Sequence, residues 1–210
     1  MAVGEFSEVV RRRRMVRRID PDRPVEREAV LRALRTAVRA PSAGFSQGWD
    51  FVVLDTPEDR HRFWAATADR EQDDWMRGVS AAPVLIVCCA NPQAYLDRYA
   101  EPDKGWTDRD PARWPVPYWE VDTGMAALLA LLSAVDQGLG ALFFGVPPRS
   151  HDAVRRALGI PASRVLVGVV ALGHEAERVK SPSLRRGRRP LEDVVHWGTF
   201  GESGPDGRSA

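Results

Sequence analysis

Read from its N-terminus, the chain spells out a β-sheet covered by helices. Short apolar runs, several of them β-branched, recur at residues 51–54, 84–89, 141–144 and 165–172, with the length and composition of buried strands. Stretches with apolar residues at helical spacing fall between them. A chain of 210 residues can bury a sizeable core, and alternating helix and strand signals are those of a layered domain.

The elements follow in order. Residues 5–18 read as a helix with Phe6, Val9, Val10 and Met15 on its apolar side, stopped by Pro21 and Pro24. Residues 25–40 read as a second helix, because Val30, Leu31, Leu34, Ala37 and Val38 form one stripe while Arg32, Arg35 and Arg39 face elsewhere. Residues 40–44, Ala-Pro-Ser-Ala-Gly, are a turn-rich loop before the first strand. Residues 57–70 read as a helix with Pro57 in its first turn. The strand at 84–89 is apolar throughout. Residues 91–117 read as irregular and proline-broken, with Tyr95, Tyr99, Trp106 and Trp114 among charges; a connection this long suits a lid. Residues 120–137 form the most apolar helix, so it belongs at the centre or in a subunit interface. A strand at 141–144 runs into Gly145, a short helix occupies 150–158, and the last strand is 165–172. The tail from Gly173 is basic, and residues 201–210 are expected to be flexible.

Composition narrows the function. A hydrophobic fraction of 44% with 28% charged residues is that of a soluble globular protein. A net charge of +1 argues against a general nucleic-acid binder. The N-terminus lacks the apolar core of a secretory signal, and the longest apolar stretch, 125–135, is too short to span a bilayer. Cys88 and Cys89 are adjacent in a strand and point to opposite faces, so they read as two small buried hydrophobes in a reducing cytoplasm.

Five clusters stand out. Six arginines fall within residues 11–18, and Arg185, Arg186, Arg188 and Arg189 form a second basic run. Either is a solvated basic face or part of an anion pocket, for which the planar guanidinium is suited. The loop from Ala40 to Trp49, the acid Asp122 near the start of the apolar helix, and the glycine-flanked run 138–145 complete the set. Asp122 reads as a charge that stabilises its helix N-terminus. A glycine after a strand lets a backbone N–H approach a flat ligand. His61, His151, His174 and His196 are isolated, and neither a Gly-x-Ser-x-Gly elbow nor a dinucleotide fingerprint occurs. A protein with so few reactive side chains of its own lets a cofactor do the chemistry.

In combination these segments resemble the FMN-dependent nitroreductase family. The likeness runs from about Val9 to Trp197: Arg13-Arg-Met-Val-Arg17, Pro24-Val-Glu-Arg-Glu28, the loop from Ala40 to Phe51, Asp122-Thr-Gly124, Gly138-Leu-Gly140, Leu172-Gly-His174, and Arg188 to Val195. The resemblance implies an α+β fold, a three-layer sandwich with a central mixed, mainly antiparallel sheet flanked by helices, in an intertwined homodimer. Residues 1–200 would be one FMN-binding domain, with 91–117 as a lid. FMN would be held by Arg13, Arg14, Met15, Arg17, Gln47, Arg186 and Arg188. Pro41, Ser42 and Ala43 of the other subunit would touch the isoalloxazine. Phe144 and Gly145 would lie against the ring, with the Gly145 N–H near N5. Tyr95, Tyr99, Trp106 and Trp114 would form the substrate lid; no metal is implied.

The chain departs from the family pattern at Met15, where the family has serine, at Phe45 for asparagine, and at Gly48 for proline. The activity implied is hydride transfer from NAD(P)H, through the flavin, to a small-molecule acceptor: a nitroaromatic, a quinone or an enone. The alternatives are a flavin-consuming or dehalogenating branch, or a flavin binder without catalysis. Neither nucleic acid nor membrane is an expected partner.

Overall fold

The computed structural model describes residues 5–67, 74–178 and 180–202. The chain divides into two compact units, residues 1–178 and 179–210, each described by itself. Residues 68–70 of the third expected helix, and the tail from residue 203, lie outside the described residues.

The first unit runs α1 (Glu5–Arg12), α2 (Arg27–Ala37), β1 (Trp49–Leu54), α3 (Pro57–Ala66), α4 (Asp74–Ser80), β2 (Val84–Ala90), α5 (Pro92–Tyr99), α6 (Tyr118–Asp136), β3 (Gly140–Phe144), α7 (His151–Leu158) and β4 (Val165–Gly173). The strand order is β1-β2-β4-β3, and every pairing is antiparallel. Among the described residues the one parallel contact is an isolated bridge between Met15 and Ala141 at the β3 edge.

Strand alternation builds the layers. On β2, Leu85, Val87 and Cys89 face a core shared with Phe63 of α3, Val79 of α4 and Val154 of α7. Val84, Ile86 and Cys88 face the opposite core, with Val30 of α2 and Ala127, Leu131 and Ala134 of α6. A sheet apolar on both faces must be covered on both, which is why β2 reads as an unbroken apolar run. A bulge between Cys88 and Cys89 leaves Val167 as an extra residue on β4. It puts Leu166 on the same face as Val169 and Ala171.

Helix α2 lies along α6 through alanines. Ala33, Ala37, Ala126 and Ala130 are at most 2% exposed, and small side chains let two helices approach closely. Arg32 Nε donates to Gln137 Oε1 at 2.7 Å, and Thr36 Oγ1 to Ser133 Oγ at 3.3 Å. Helix α6 is long and apolar enough to cross a membrane by composition, but half of that stretch is buried inside the fold.

Three boundaries differ from the sequence reading. The first helix stops at Arg12, and residues 13–19 continue extended because Val16 N–H bonds the Ala141 carbonyl at 3.0 Å. Residues 92–99 of the supposedly irregular segment are helical, with Pro92 in the first turn. Helix α4 was not read at all: seven residues with Gly78 near the end give too short a pattern. In the second unit, short 3₁₀ segments at Pro182–Arg186 and Leu191–Asp193 carry exposed Leu184 and Leu191, and Val194 follows the second, also exposed.

Burial pushes the Cys88 thiol up to about 12 and the Cys89 thiol up to about 11. Both cysteines are therefore expected to resist alkylation at pH 8 in the native protein and to react fully after unfolding. Mass spectrometry after timed iodoacetamide treatment checks this; a native thiol reacting at the rate of a free cysteine would contradict the two-sided core.

Candidate functional site

The basic segment is displayed by the sheet edge. Met15 pairs with Ala141, and Phe143 N–H points to the Met15 sulfur at 3.5 Å. Met15 packs against both cores. Where the resembling pattern places a hydroxyl, this chain thus has an apolar plug between layers. Extended backbone sends alternate residues to opposite sides. Arg14 pairs with Glu175 through both guanidinium arms. It lines a cleft of about 160 Å³ with Arg12, Val135, Gly138, Gly140 and Glu175. Among the described residues the Arg17 side chain donates only to the Met15 carbonyl, at 3.2 Å. Arg13 is half-buried, and among the described residues its side chain has no protein partner. Half-buried guanidiniums without a carboxylate are prepared to take an anion.

Helix α4 fixes the next turn of this segment. Arg18 Nη2 meets Asp74 Oδ2 at 2.5 Å, and Ile19 N–H reaches the Gly78 carbonyl at 3.4 Å. A Cβ at Gly78 would lie 2.1 Å from the Arg17 carbonyl oxygen, so only glycine allows this approach.

The loop at 41–47 is a strained turn. Gly44, Phe45 and Gln47 have φ of 60°, 59° and 49°; each non-glycine residue there costs on the order of 1–3 kcal/mol. Its bonds are correspondingly dense. Gln47 N–H donates to Ser42 Oγ at 2.9 Å, Ser46 Oγ to the Ala43 carbonyl at 2.7 Å, and Arg98 Nε to the Gly44 carbonyl at 2.8 Å. Ala43 N–H donates to Asp122 Oδ2 at 2.9 Å, and the same oxygen accepts the Tyr95 hydroxyl at 2.7 Å. Asp122 is therefore not a helix-end charge as read from sequence: it is 1% exposed in the fifth position of α6 and tethers another element. Burial, then the Asp122 bond, pushes the Tyr95 phenol well above its ordinary range. Pro41, Phe45 and Gln47 remain exposed.

Gly145 is exposed, and a Cβ there would meet nothing within 4 Å, so its backbone is open to a flat ligand. The Phe144 ring turns away into an aromatic cluster, stacked on Trp64 at 5.7 Å and edge-on to Trp75 at 5.5 Å. In residues 91–117, Trp114 is the hub: Tyr99, Trp106 and Tyr95 lie 4.6, 5.6 and 5.8 Å from it between ring centroids. Tyr95 is fully buried, so it serves as a support and not as a surface for an acceptor. Arg98 grips Asp103 with both arms at 2.7 Å, and Arg109 meets Asp97 at 2.9 Å, so the segment is packed and braced. Arg186 and Arg188 are exposed in the second unit.

The model of the Nitroreductase family matches residues 10–174. The chain belongs to the nitroreductase family. It is accordingly an oxidoreductase of the nitroreductase type. Among relatives of this nitroreductase, an NADH dehydrogenase of Thermus thermophilus is 32% identical over 205 residues, covering 89% of this chain and 92% of the relative. Human iodotyrosine deiodinase 1 is 23% identical over 212 residues, covering 91% of this chain and 68% of the deiodinase. A structure from Exiguobacterium sibiricum 255-15, assigned as a nitroreductase and solved in complex with FMN, superposes with a TM-score of 0.74 at 20% identity. It covers 94% of this chain and 99% of the other. The layered α+β fold is thus that of the nitroreductases.

Sequence reasoning found the arginines and the loop of this nitroreductase, but missed how they are held. Asp122 and Tyr95 gave a signal only in hindsight: an acid inside an otherwise apolar helix needs a partner. Gly78→Ala is expected to destabilise the protein by about 1–3 kcal/mol, seen as a melting temperature lowered by several degrees. Equal melting of the variant would mean that α4 does not brace the arginine segment.

Proposed function

We propose that this nitroreductase works as a homodimer with FMN bound between subunits, oxidising NAD(P)H and reducing a nitroaromatic, a quinone or an enone. The observation that carries the cofactor reading is Arg13. It sits on a family-matched segment, half-buried and without a carboxylate. Its neighbour Arg17 is satisfied only by backbone. Those donors fit a phosphate, and Arg14 and Met15 complete the wall. Arg186 and Arg188 are proposed as further phosphate ligands from the family pattern.

When bound, FMN would supply the redox chemistry that links NAD(P)H to the acceptor. The chain's own residues bind and orient. Pro41, Ser42, Ala43 and Gln47 would border the isoalloxazine, and the open Gly145 N–H would donate toward its N5. Phe144 acts through its backbone, since its ring anchors the strand end among Trp64 and Trp75. Trp106, Tyr99 and Trp114 form a braced wall that selects flat acceptors, with Tyr95 beneath them.

The dimer reading is supported by the length of α6. Asp122 meets the 41–47 loop, and Val135 shares a cleft with Arg14. Thirteen residues of helix separate them by roughly 20 Å. The two parts of the site therefore lie at opposite ends of one helix, and a two-fold partner brings one subunit's loop to the other's arginines. Val121 and Leu128 on α6, at 42% and 47% exposed, with Phe6 and Val10 on α1, offer the apolar surface for such a partner. A second reading, reductive dehalogenation, is favoured by the deiodinase likeness over nine-tenths of the chain. Free buried thiols suit the proposed cytoplasmic setting.

Purified protein is expected to be yellow, dimeric by sedimentation, and bleached by NADH or NADPH. Arg13→Ala is expected to weaken FMN binding about tenfold to a hundredfold by fluorescence titration. Wild-type protein that binds no FMN would overturn the cofactor assignment, a flavin-loaded monomer would overturn the dimer, and dehalogenation of a halophenol outpacing nitro or quinone reduction would select the second reading.

A further inference from the structure

Phe45 and Gln47 are two of only three non-glycine residues with positive φ among the described residues. Strain gathered in one loop persists only where other contacts hold it. The bonds from Gln47 to Ser42 and from Ser46 to Ala43 shape the loop but do not locate it, because both ends belong to it. Two contacts locate it. One is Arg98 on the Gly44 carbonyl, from a half-buried, salt-bridged arm. The other is Asp122 on the Ala43 N–H, from a side chain wholly inside the protein. The Asp122 oxygen is shared with the Tyr95 hydroxyl, so the two donors and one acceptor join α5, α6 and the loop. Rings complete the seat: a Cβ on Gly44 would lie 2.7 Å from Tyr99, and one on Gly48 would lie 2.4 Å from Tyr95.

We propose that Asp122, together with Tyr95, is a positioning pair that holds residues 41–47 at the distance and tilt the flavin ring requires. The proposal rests on the reading that Pro41, Ser42 and Ala43 border the isoalloxazine. Asp122 is too deeply buried to reach an acceptor or the cofactor, so it acts through Ala43 and not by contact. Because Asp122 is rigidly part of α6, the same helix that carries Val135 beside Arg14 also sets the loop. In the dimer reading, the contributions of one subunit to the two sites are thus referred to one ruler. Tyr95 keeps its proton across the working pH range, which makes it a constant donor.

The test uses the full-length protein with Asp122→Ala, Asp122→Asn and Tyr95→Phe. Hydrogen exchange of amides 42–48 in the FMN-free protein reads the anchor. Exchange is expected to quicken about tenfold in Asp122→Ala and several-fold in Tyr95→Phe, each losing a hydrogen bond to the seat. Asp122→Asn, which keeps an acceptor oxygen for both donors, is expected to stay near wild type. In the FMN-loaded protein, the two disrupting variants are expected to change the visible circular dichroism of the flavin. They should also raise KM for the acceptor severalfold. Unchanged exchange in Asp122→Ala and Tyr95→Phe overturns the anchor. Faster exchange with wild-type flavin dichroism and KM overturns the positioning role. Should Asp122→Ala fail to fold, Tyr95→Phe decides alone, since its ring packing is intact. Wild-type protein without FMN defeats the cofactor reading instead, and the exchange experiment still tests the anchor.

Discussion

One backbone hydrogen bond organises the chemistry of this protein: Val16 N–H to the Ala141 carbonyl, beside the Met15 bridge to the same strand. A run of six arginines in eight residues repels itself. As a continued helix it would spread guanidiniums around the whole circumference. Docked on β3 it becomes an extended segment in which Val16 and Ile19 go to the core. The arginines are left at the rim, some paired and Arg13 unpaired. The proposed anion site is thus a by-product of covering a sheet edge.

Around that edge, α6 is the spine. Alanines on the sides facing α2 and the sheet permit close packing, and its remaining apolar surface stays open at Val121 and Leu128. Its ends touch different things: a buried acid holds a strained loop at one, and a glycine turn adjoins the arginine cleft at the other. A single rigid element with a task at each end explains why one helix is both the most apolar in the chain and the carrier of a fully buried carboxyl.

Much of this was legible beforehand. The four strands and the long helix follow from apolar runs and lie within a residue or two of the expected bounds, because the short runs have strand length and the long alanine- and leucine-rich run has helix length. The arginines at 13, 14 and 17 and the loop at 41–43 were legible as residues with a place in a family pattern. What escaped reading was anything decided by distant partners. Residues 13–18 have helical composition, yet pairing with a strand 128 positions away decides otherwise. Tyr95 resembled a lid residue because four aromatics share one segment, yet its hydroxyl is claimed by Asp122. Helix α4 is held by its contact with Arg17 and Ile19, and a short sequence with an interior glycine carries no trace of that.

The pairing of Met15 with the third strand also orders events in time. The arginine segment is synthesised before its strand partner, which follows about 128 residues later, a delay of roughly 6–26 s at 5–20 residues per second. Throughout that interval the basic segment has no sheet to join. Closing so long a loop is entropically slow and comes late in folding. The segment proposed to anchor the cofactor is made before its strand partner and seated late, so the nascent chain gains the proposed anion site only when nearly all of the sheet already exists.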